Sequence, residues 1–441
     1  MRSLALFLTI LGLLPIVLFY PFGGVLLWTW VSLMNPHRLT WGYFSGLPYA
    51  LIIALVTIVG WVMSRESKKI PMDAFSILTI AFMAWFSFTT IFALAQNEAP
   101  YDMWNRSIKT FAFILLTYML TTTRRRIEAL IWVVVISLGY FGVKGGLFAV
   151  LTGGSYRVWG PEASFIYDNN HLALALTMTL PLMYYLSTQV QMRLMKWGLL
   201  GSMLLTLGAI MFSYSRGALL ACAAMLFVLF WRGRRKLMIL TITATIVGLM
   251  WSFAPKQWYE RMESIGDYEE DASAQGRLTI WKAAFDIAVA RPITGGGFRT
   301  TYYQYIVDQY SPGVEARATH SIYFEVLGEQ GFIGFFIFIG FAVLAWWQGS
   351  WLQRATKHRE DLRWANDLGR TFQVALAAFL VGGAFLSLGY YDGYFTVLLI
   401  MAAAKRHVAT LLAMSGQDKP ELIGRPAPVM GGLAPPRPTY R

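Results

Sequence analysis

The stretch RATHSIYFEVLGEQGFIGFFIFIGFAVLAWW, residues 317–347, decides how the chain is read. From Ser321 to Trp347 its only charges are Glu325 and Glu329, and the run is long enough to cross the roughly 30 Å of a bilayer's hydrocarbon. His320 therefore stands at the rim of a membrane-spanning helix. Before it lies a polar interruption, residues 255–319, which holds seven Lys/Arg and nine Asp/Glu. Isolated arginines collect on the same side: Arg157, Arg216, Arg277 and Arg299.

Working outward, apolar runs recur over the whole chain. Of its 441 residues 56% are hydrophobic and 14% charged, where a soluble domain carries about a quarter charged. Hydropathy and charge place spans near 4–34, 47–64, 74–96, 106–121, 127–150, 170–188, 194–212, 216–231, 237–254, 321–347, 370–391 and 394–412. The expected fold is all-α, a polytopic membrane protein of about 12 transmembrane helices. The run 4–34 is too long for one straight span, and Pro15 and Pro21 are expected to break it into two shorter pieces. Met1–Tyr20 lacks a small-residue cleavage site and reads as a retained span.

The net charge of +13 falls in short connections: Arg65/Lys68/Lys69, Arg124/Arg125/Arg126, Arg193/Lys196, Arg232/Arg234/Arg235/Lys236 and Arg354/Lys357/Arg359/Arg363. Such clusters set orientation, with the basic loops cytoplasmic, and do not mark a nucleic-acid site. Both termini then lie inside, and 97–105, 151–169, 213–216, 255–319 and 389–394 lie outside. The chain divides into N-terminal helices (1–254), a periplasmic segment (255–319), C-terminal helices (320–414) and a disordered cytoplasmic tail (415–441) rich in proline. Within the segment, apolar positions 278, 280, 281, 284, 285 and 288 predict a helix lying along the membrane surface. The lone Cys222 supplies neither a disulfide nor a thiol metal site.

His320 is the candidate general base, because a neutral imidazole near physiological pH can accept a proton from a sugar hydroxyl. An interfacial histidine with one wet face is the plainer alternative. Glu325 is five residues on and off its helical face, so it is not an obvious orienting partner. Arg216, after Ser213-Tyr214-Ser215 in a tight outer turn, is costly at that depth and so a functional candidate or a snorkelling lipid contact. Arg277 opens the surface helix, where an anion would also meet the N-terminal amides. Arg157 precedes Asp168-Asn169-Asn170-His171; Asp168 and Asn169 read first as helix caps. Lys144, between Gly142 and Gly145, is expected to face a cavity or a partner, or to snorkel. Arg299 and Asn169 complete the candidates.

Two signals are discounted. Asp267-Tyr268-Glu269-Glu270-Asp271 reads as a solvated acidic loop, not a metal site, and Gly295-Gly296-Gly297-Phe298 as a flexible turn, not a dinucleotide fingerprint. No cofactor or metal is expected. The remaining inventory, cations and one base without a nucleophile, suits displacement of a diphosphate leaving group. An arginine about 4 Å from a phosphate charge is worth about 4 kcal/mol at an effective dielectric near 20, and its fork matches phosphate oxygens bidentately.

The turn Ser213-Tyr214-Ser215-Arg216-Gly217, the stretch from Gly276-Arg277 to Trp281, Pro292 through Phe298, and His320-Ser321 through Glu329-Gln330-Gly331-Phe332-Ile333-Gly334 resemble the O-antigen ligase family. That family shares a superfamily with O-antigen polymerases. Arg157-Val158-Trp159-Gly160-Pro161-Glu162 with Asp168-Asn169-Asn170 resembles the ligase subfamily linked to exopolysaccharide or protein-sorting systems. Ser321 departs from the asparagine usual after the histidine, and His171 also departs from the pattern. The resemblance implies a GT-C-like membrane glycosyltransferase in the bacterial inner membrane, its site facing the periplasm. It would move a glycan from undecaprenyl diphosphate to lipid A–core oligosaccharide, with inversion. Arg216 and Arg277, joined by Arg157 and Lys144, would grip the diphosphate while His320 activates the acceptor. An O-antigen polymerase, a protein O-oligosaccharyltransferase and a lipid-linked sugar transporter are the alternatives.

Overall fold

The computed structural model describes residues 1–232, 236–253, 259 and 272–416. Among these residues the regular structure is entirely helical. The helices are α1 (Arg2–Phe19), α2 (Pro21–Met34), α3 (Tyr49–Met63), α4 (Ala74–Ile91), α5 (Glu98–Leu120), α6 (Arg124–Leu151), α7 (Asn169–Gln189) and α8 (Arg193–Met211). They continue with α9 (Arg216–Arg232), α10 (Lys236–Phe253), α11 (Ala272–Ala290), α12 (Gln304–Tyr310), α13 (Ile322–Ala355), α14 (Arg363–Gly383) and α15 (Asp392–Met414). Six of them, α1, α4, α6, α8, α13 and α15, are long and apolar enough to cross a membrane; α2, α3, α9 and α10 are apolar but shorter. α7 is buried along nearly its whole length and packs against α6, α8, α9 and α14, which makes it the centre of the bundle.

The run 4–34 is two helices. The chain breaks at Tyr20, and Pro21 opens α2, a position where its missing N–H costs nothing. Pro15 lies inside α1 without ending it. The Arg126 guanidinium sits over the rings of Tyr20 and Phe22 and pairs with Glu66, which fixes the α1–α2 turn at the basic end of the bundle. Ser3, at the start of α1, lies instead beside Gly42 at the opposite end. The N-terminal helix thus starts at the end opposite the basic clusters, where the expectation had placed it with them.

The basic end is tied by polar contacts that bridge distant helices. Tyr118 donates to Asp73, and Arg406 donates to the carbonyls of Tyr118 at 2.7 Å and Thr121 at 3.1 Å. At the opposite end, α5 begins at Glu98, so most of 97–105 is helix and not loop. α14 stops at Gly383, well short of 391, and residues 384–391 form an apolar loop buried among helices. Hydropathy cannot separate such a loop from a span, because both are shielded from water.

α11 and α12 mount the segment before His320 onto the bundle. Ile280 and Ala283 pack with Val307, and Ile287 with Ala95 and Ile306. This buried stripe faces protein, while Leu278, Phe285 and Val289 are exposed on another face. The expected single apolar face is therefore split. The acidic run 267–271 and the tail 417–441 lie outside the described residues.

The glycine run 295–297 is buried, not a flexible turn. Gly331 has φ 66° and ψ −173°, which interrupts α13, a backbone region reached almost only by glycine. The interruption frees peptide groups that residues 292–297 satisfy. Phe332 N–H donates to Pro292 O at 2.9 Å, Gly296 N–H to Gly328 O at 2.8 Å and Gly297 N–H to Glu329 O at 2.9 Å. A Cβ on Gly331 would stand 2.5 Å from the Ile293 oxygen and 2.7 Å from that of Pro292. Gly331→Ala is expected to cost at least about 1–3 kcal/mol and to lower the unfolding temperature of the detergent-solubilised protein. Unfolding indistinguishable from wild type would show that the splice does not hold α13.

Candidate functional site

At the end opposite the basic clusters, three short connections and the start of α11 converge. Asp168 caps α7, accepting the Asn170 N–H at 2.9 Å, and the buried Asn169 donates from Nδ2 to Ser213 O at 2.6 Å. The α7 start is thereby fastened to the 212–215 turn. In that turn Tyr214 has φ 58° and donates its hydroxyl to Gly154 O at 2.6 Å. The Ser215 hydroxyl accepts the Ala218 N–H at 3.1 Å, capping α9 and leaving Arg216 as its first residue. Arg157 is exposed and beside Tyr214, whose hydroxyl is shifted upward by burial and partly offset by that guanidinium.

His320 occupies the adjoining corner. Its backbone is left-handed, φ 47°, which is uncommon for a side chain with a Cβ. The constraint comes from neighbours: Ser387 Oγ accepts the His320 N–H at 2.9 Å, and Trp281 Nε1 donates to Thr319 O at 2.7 Å. Trp281 also stacks on Phe324 and stands 6.2 Å from the Phe385 ring, and a Cβ on Gly217 would be 3.6 Å from the Phe385 Cβ. One chain of contacts thus runs from the start of α9 through the 384–391 loop and α11 to His320. Burial lowers the imidazole pKa to about 4, with Arg277, His171 and Arg317 adding to the fall and Asp168 opposing it.

The structure therefore brings His320, Arg277 and the 168–171 start of α7 together, and Asn169 links them to the turn that carries Arg216. Arg277 is half-buried in the second turn of α11, which begins at Ala272, so the helix N-terminal amides lie elsewhere. Arg317, which pairs with Glu315, lies against Gly276.

Two candidates stand apart. Lys144 is exposed on α6 and, among the described residues, makes no side-chain hydrogen bond or ion pair, so it is not the buried ammonium expected. The glycines around it serve helix packing: Cβ atoms on Gly142 and Gly146 would collide with Thr206 and Leu205 of α8. Arg299 belongs to a neighbouring group. Its N–H donates to Glu329 Oε1 at 2.7 Å, and its charge faces Arg106 and the Glu325–Glu329 pair. Glu325 instead accepts the Gly389 N–H at 2.8 Å, so it holds the 384–391 loop and not His320.

Sequence reading missed Ser387, an ordinary serine inside an apparently apolar span, Arg106, at the edge of the 106–121 span among Asp102 and Lys109, and Asp392, a lone charge in the short 389–394 connection. An isolated charge flanked on both sides by long apolar runs, as Asp392 is, invites a search for a partner, and that signal could have found it. Among the described residues no group of His, Cys, Asp and Glu could hold a metal ion.

A family profile described as O-antigen ligase matches residues 201–339, and one described as a family of unknown function matches residues 1–191. No curated protein matches the chain. The matched portion 201–339 spans the Arg216 turn, Arg277, Arg299 and His320.

A depressed histidine pKa has a testable sign. Between about 6.5 and about 4 the unfolded chain binds the proton that folded His320 refuses, so stability contributed by this group falls as pH drops through that window. NMR of histidine-labelled protein is expected to show His320 neutral from pH 8 to about 5, and His320→Gln to flatten the acid-side loss of stability. A titration near 6.5 would contradict its burial among cations.

Proposed function

We propose, on the strength of the match of residues 201–339 to the O-antigen ligase profile, that the chain transfers O-antigen polysaccharide from undecaprenyl diphosphate to lipid A–core oligosaccharide. The reaction is placed at the periplasmic face of the bacterial inner membrane, in a GT-C-like helical scaffold. The observation that carries this reading is the neutral imidazole of His320 held beside Arg277, with the Arg216 turn anchored to the same corner through Asn169.

In this mechanism His320 takes the proton from the acceptor hydroxyl as its oxygen attacks the anomeric carbon. The bond to the diphosphate breaks with its electron pair going to the leaving oxygen, and the configuration inverts. Arg216, Arg277 and Arg157 stabilise the charge that develops on the phosphates, where fixed cations in a poorly solvated site act most strongly. The imidazole is a weak base while it is buried with the Arg277 and Arg317 charges near it. Arrival of the diphosphate offsets their charge and raises its affinity for the proton. Donor binding therefore readies the base.

Purified protein given lipid-linked glycan and lipid A–core should form the ligated product, also in excess EDTA. His320→Ala is expected to lose about 10²–10⁴-fold in rate, and Arg216→Ala to abolish detectable transfer, both with the protein inserted and folded. Full turnover by either variant removes that residue from the mechanism. A product in which only the lipid-linked repeats are lengthened would make the protein a polymerase. The acid limb of kcat is expected at a higher pH than that of kcat/KM, because the first reports the loaded enzyme and the second the free one. Coincident limbs would refute the coupling between donor and base.

A further inference from the structure

A cavity of about 510 Å³ opens at the same end of the bundle, between α2, α3, α5, the 163–166 segment and the start of α15. It excludes His320, Arg216 and Arg277, and the 163–167 segment stands between the two places. On one side of that segment the Phe165 carbonyl bonds His171, which neighbours His320; on the other the Phe165 ring lies 3.8 Å from the Arg106 guanidinium. We propose that this cavity binds an anionic sugar, one carrying a phosphate or a carboxylate group.

Three cations line it: Arg38, Arg106 and Lys109. All are exposed, and among the described residues none has a side-chain hydrogen bond or an ion pair. Arg106 is surrounded by protein yet open to the cavity, with Phe165 covering one face of its plane. A guanidinium so held keeps its edge free for oxygen atoms in a fixed orientation.

The one carboxylate in the lining is Asp392, held by the Ser32 hydroxyl and by the Gly393 N–H at 2.9 Å. A site for a bare anion would gain nothing from a buried carboxylate, which repels it. A sugar has hydroxyl groups to donate to that oxygen and an anionic substituent for the cations. Trp28, Tyr49 and Phe165 give the lining an apolar part beside the charges, and the volume falls in the range of small-molecule sites. A lipid tail would leave the three charges unmatched.

Binding tests this without reference to glycan transfer. The full chain in detergent is titrated calorimetrically with glucose 6-phosphate, glucuronate, glucose and inorganic phosphate. At least one anionic sugar should bind, with glucose and inorganic phosphate each roughly tenfold weaker, the loss for about one charge-assisted hydrogen bond. The two anionic sugars tell phosphate from carboxylate preference. R106Q/K109Q should weaken binding at least about tenfold, while Arg216→Ala should leave it unchanged. If the double variant is not monodisperse, Arg38→Gln, exposed and outside the long helices, decides in its place. The proposal is overturned if neither anionic sugar binds, if inorganic phosphate binds as tightly, if the decisive variant retains wild-type affinity, or if Arg216→Ala abolishes binding.

Discussion

The interruption of α13 at Gly331 is the constraint from which the end that carries His320 is built. A break in a helix within apolar surroundings leaves peptide groups that no water can reach, at a cost of several kcal/mol for each one unsatisfied. Here the cost is met by backbone from 292–297, so the segment before His320 is docked by hydrogen bonds that do not depend on side chains. Once docked, Arg299 N–H reaches Glu329, and Arg291 reaches back from Nη2 to Phe92 O at 2.7 Å. The polar segment and the helix that follows His320 become one body. The proposed transfer would require such a fixed frame, since a base on a loose loop does not hold sub-ångström geometry.

The second organising element is the buried 384–391 loop. Its Ser387 hydroxyl accepts the His320 N–H, and its Gly389 N–H reaches Glu325 on α13. Phe385 faces the start of α9 on one side and Trp281 on the other. Four elements far apart in sequence therefore agree on the position of one imidazole. The left-handed backbone of His320 costs a little strain, and the surroundings over-determine it.

The helical, membrane-spanning class was legible because it follows from composition: long runs of apolar residues have few other stable arrangements. Helix ends were less so. The reading of 370–391 as one span failed because Ala384–Tyr391 is as apolar as a helix, and only tertiary contacts tell that it is not one. Gly295-Gly296-Gly297 looked flexible because glycine is permissive when nothing is near. What fixes it is α13, some 30 residues later in the chain. Lys144 misled in the opposite way: its flanking glycines signal close packing, but by the faces of α6 on which Lys144 does not lie. The clustering of His320 with Arg277 could be anticipated from their shared side of the membrane. The Asn169–Ser213 and His320–Ser387 contacts could not, since polar residues in loops carry no record of their partners.

Charge balance separates the groups gathered at this end. Around His320 the neighbours are Arg277, Arg317 and His171 against Asp168. Arg317 is paired with Glu315, so the balance at the imidazole rests on Arg277, His171 and Asp168. Around Arg299 the cations face Glu325, Glu329 and Asp392, so that group is nearly self-compensated and serves to hold loops. The cavity beyond Phe165 shares Arg106 and Asp392 with this compensated group but adds Arg38 and Lys109, which restores a surplus. Coulomb attraction between exposed charges fades over about 8–10 Å at physiological salt. The 163–167 segment stands between the cavity and the corner that holds His320, so the proposed sugar site and the proposed donor site are distinct places in the fold.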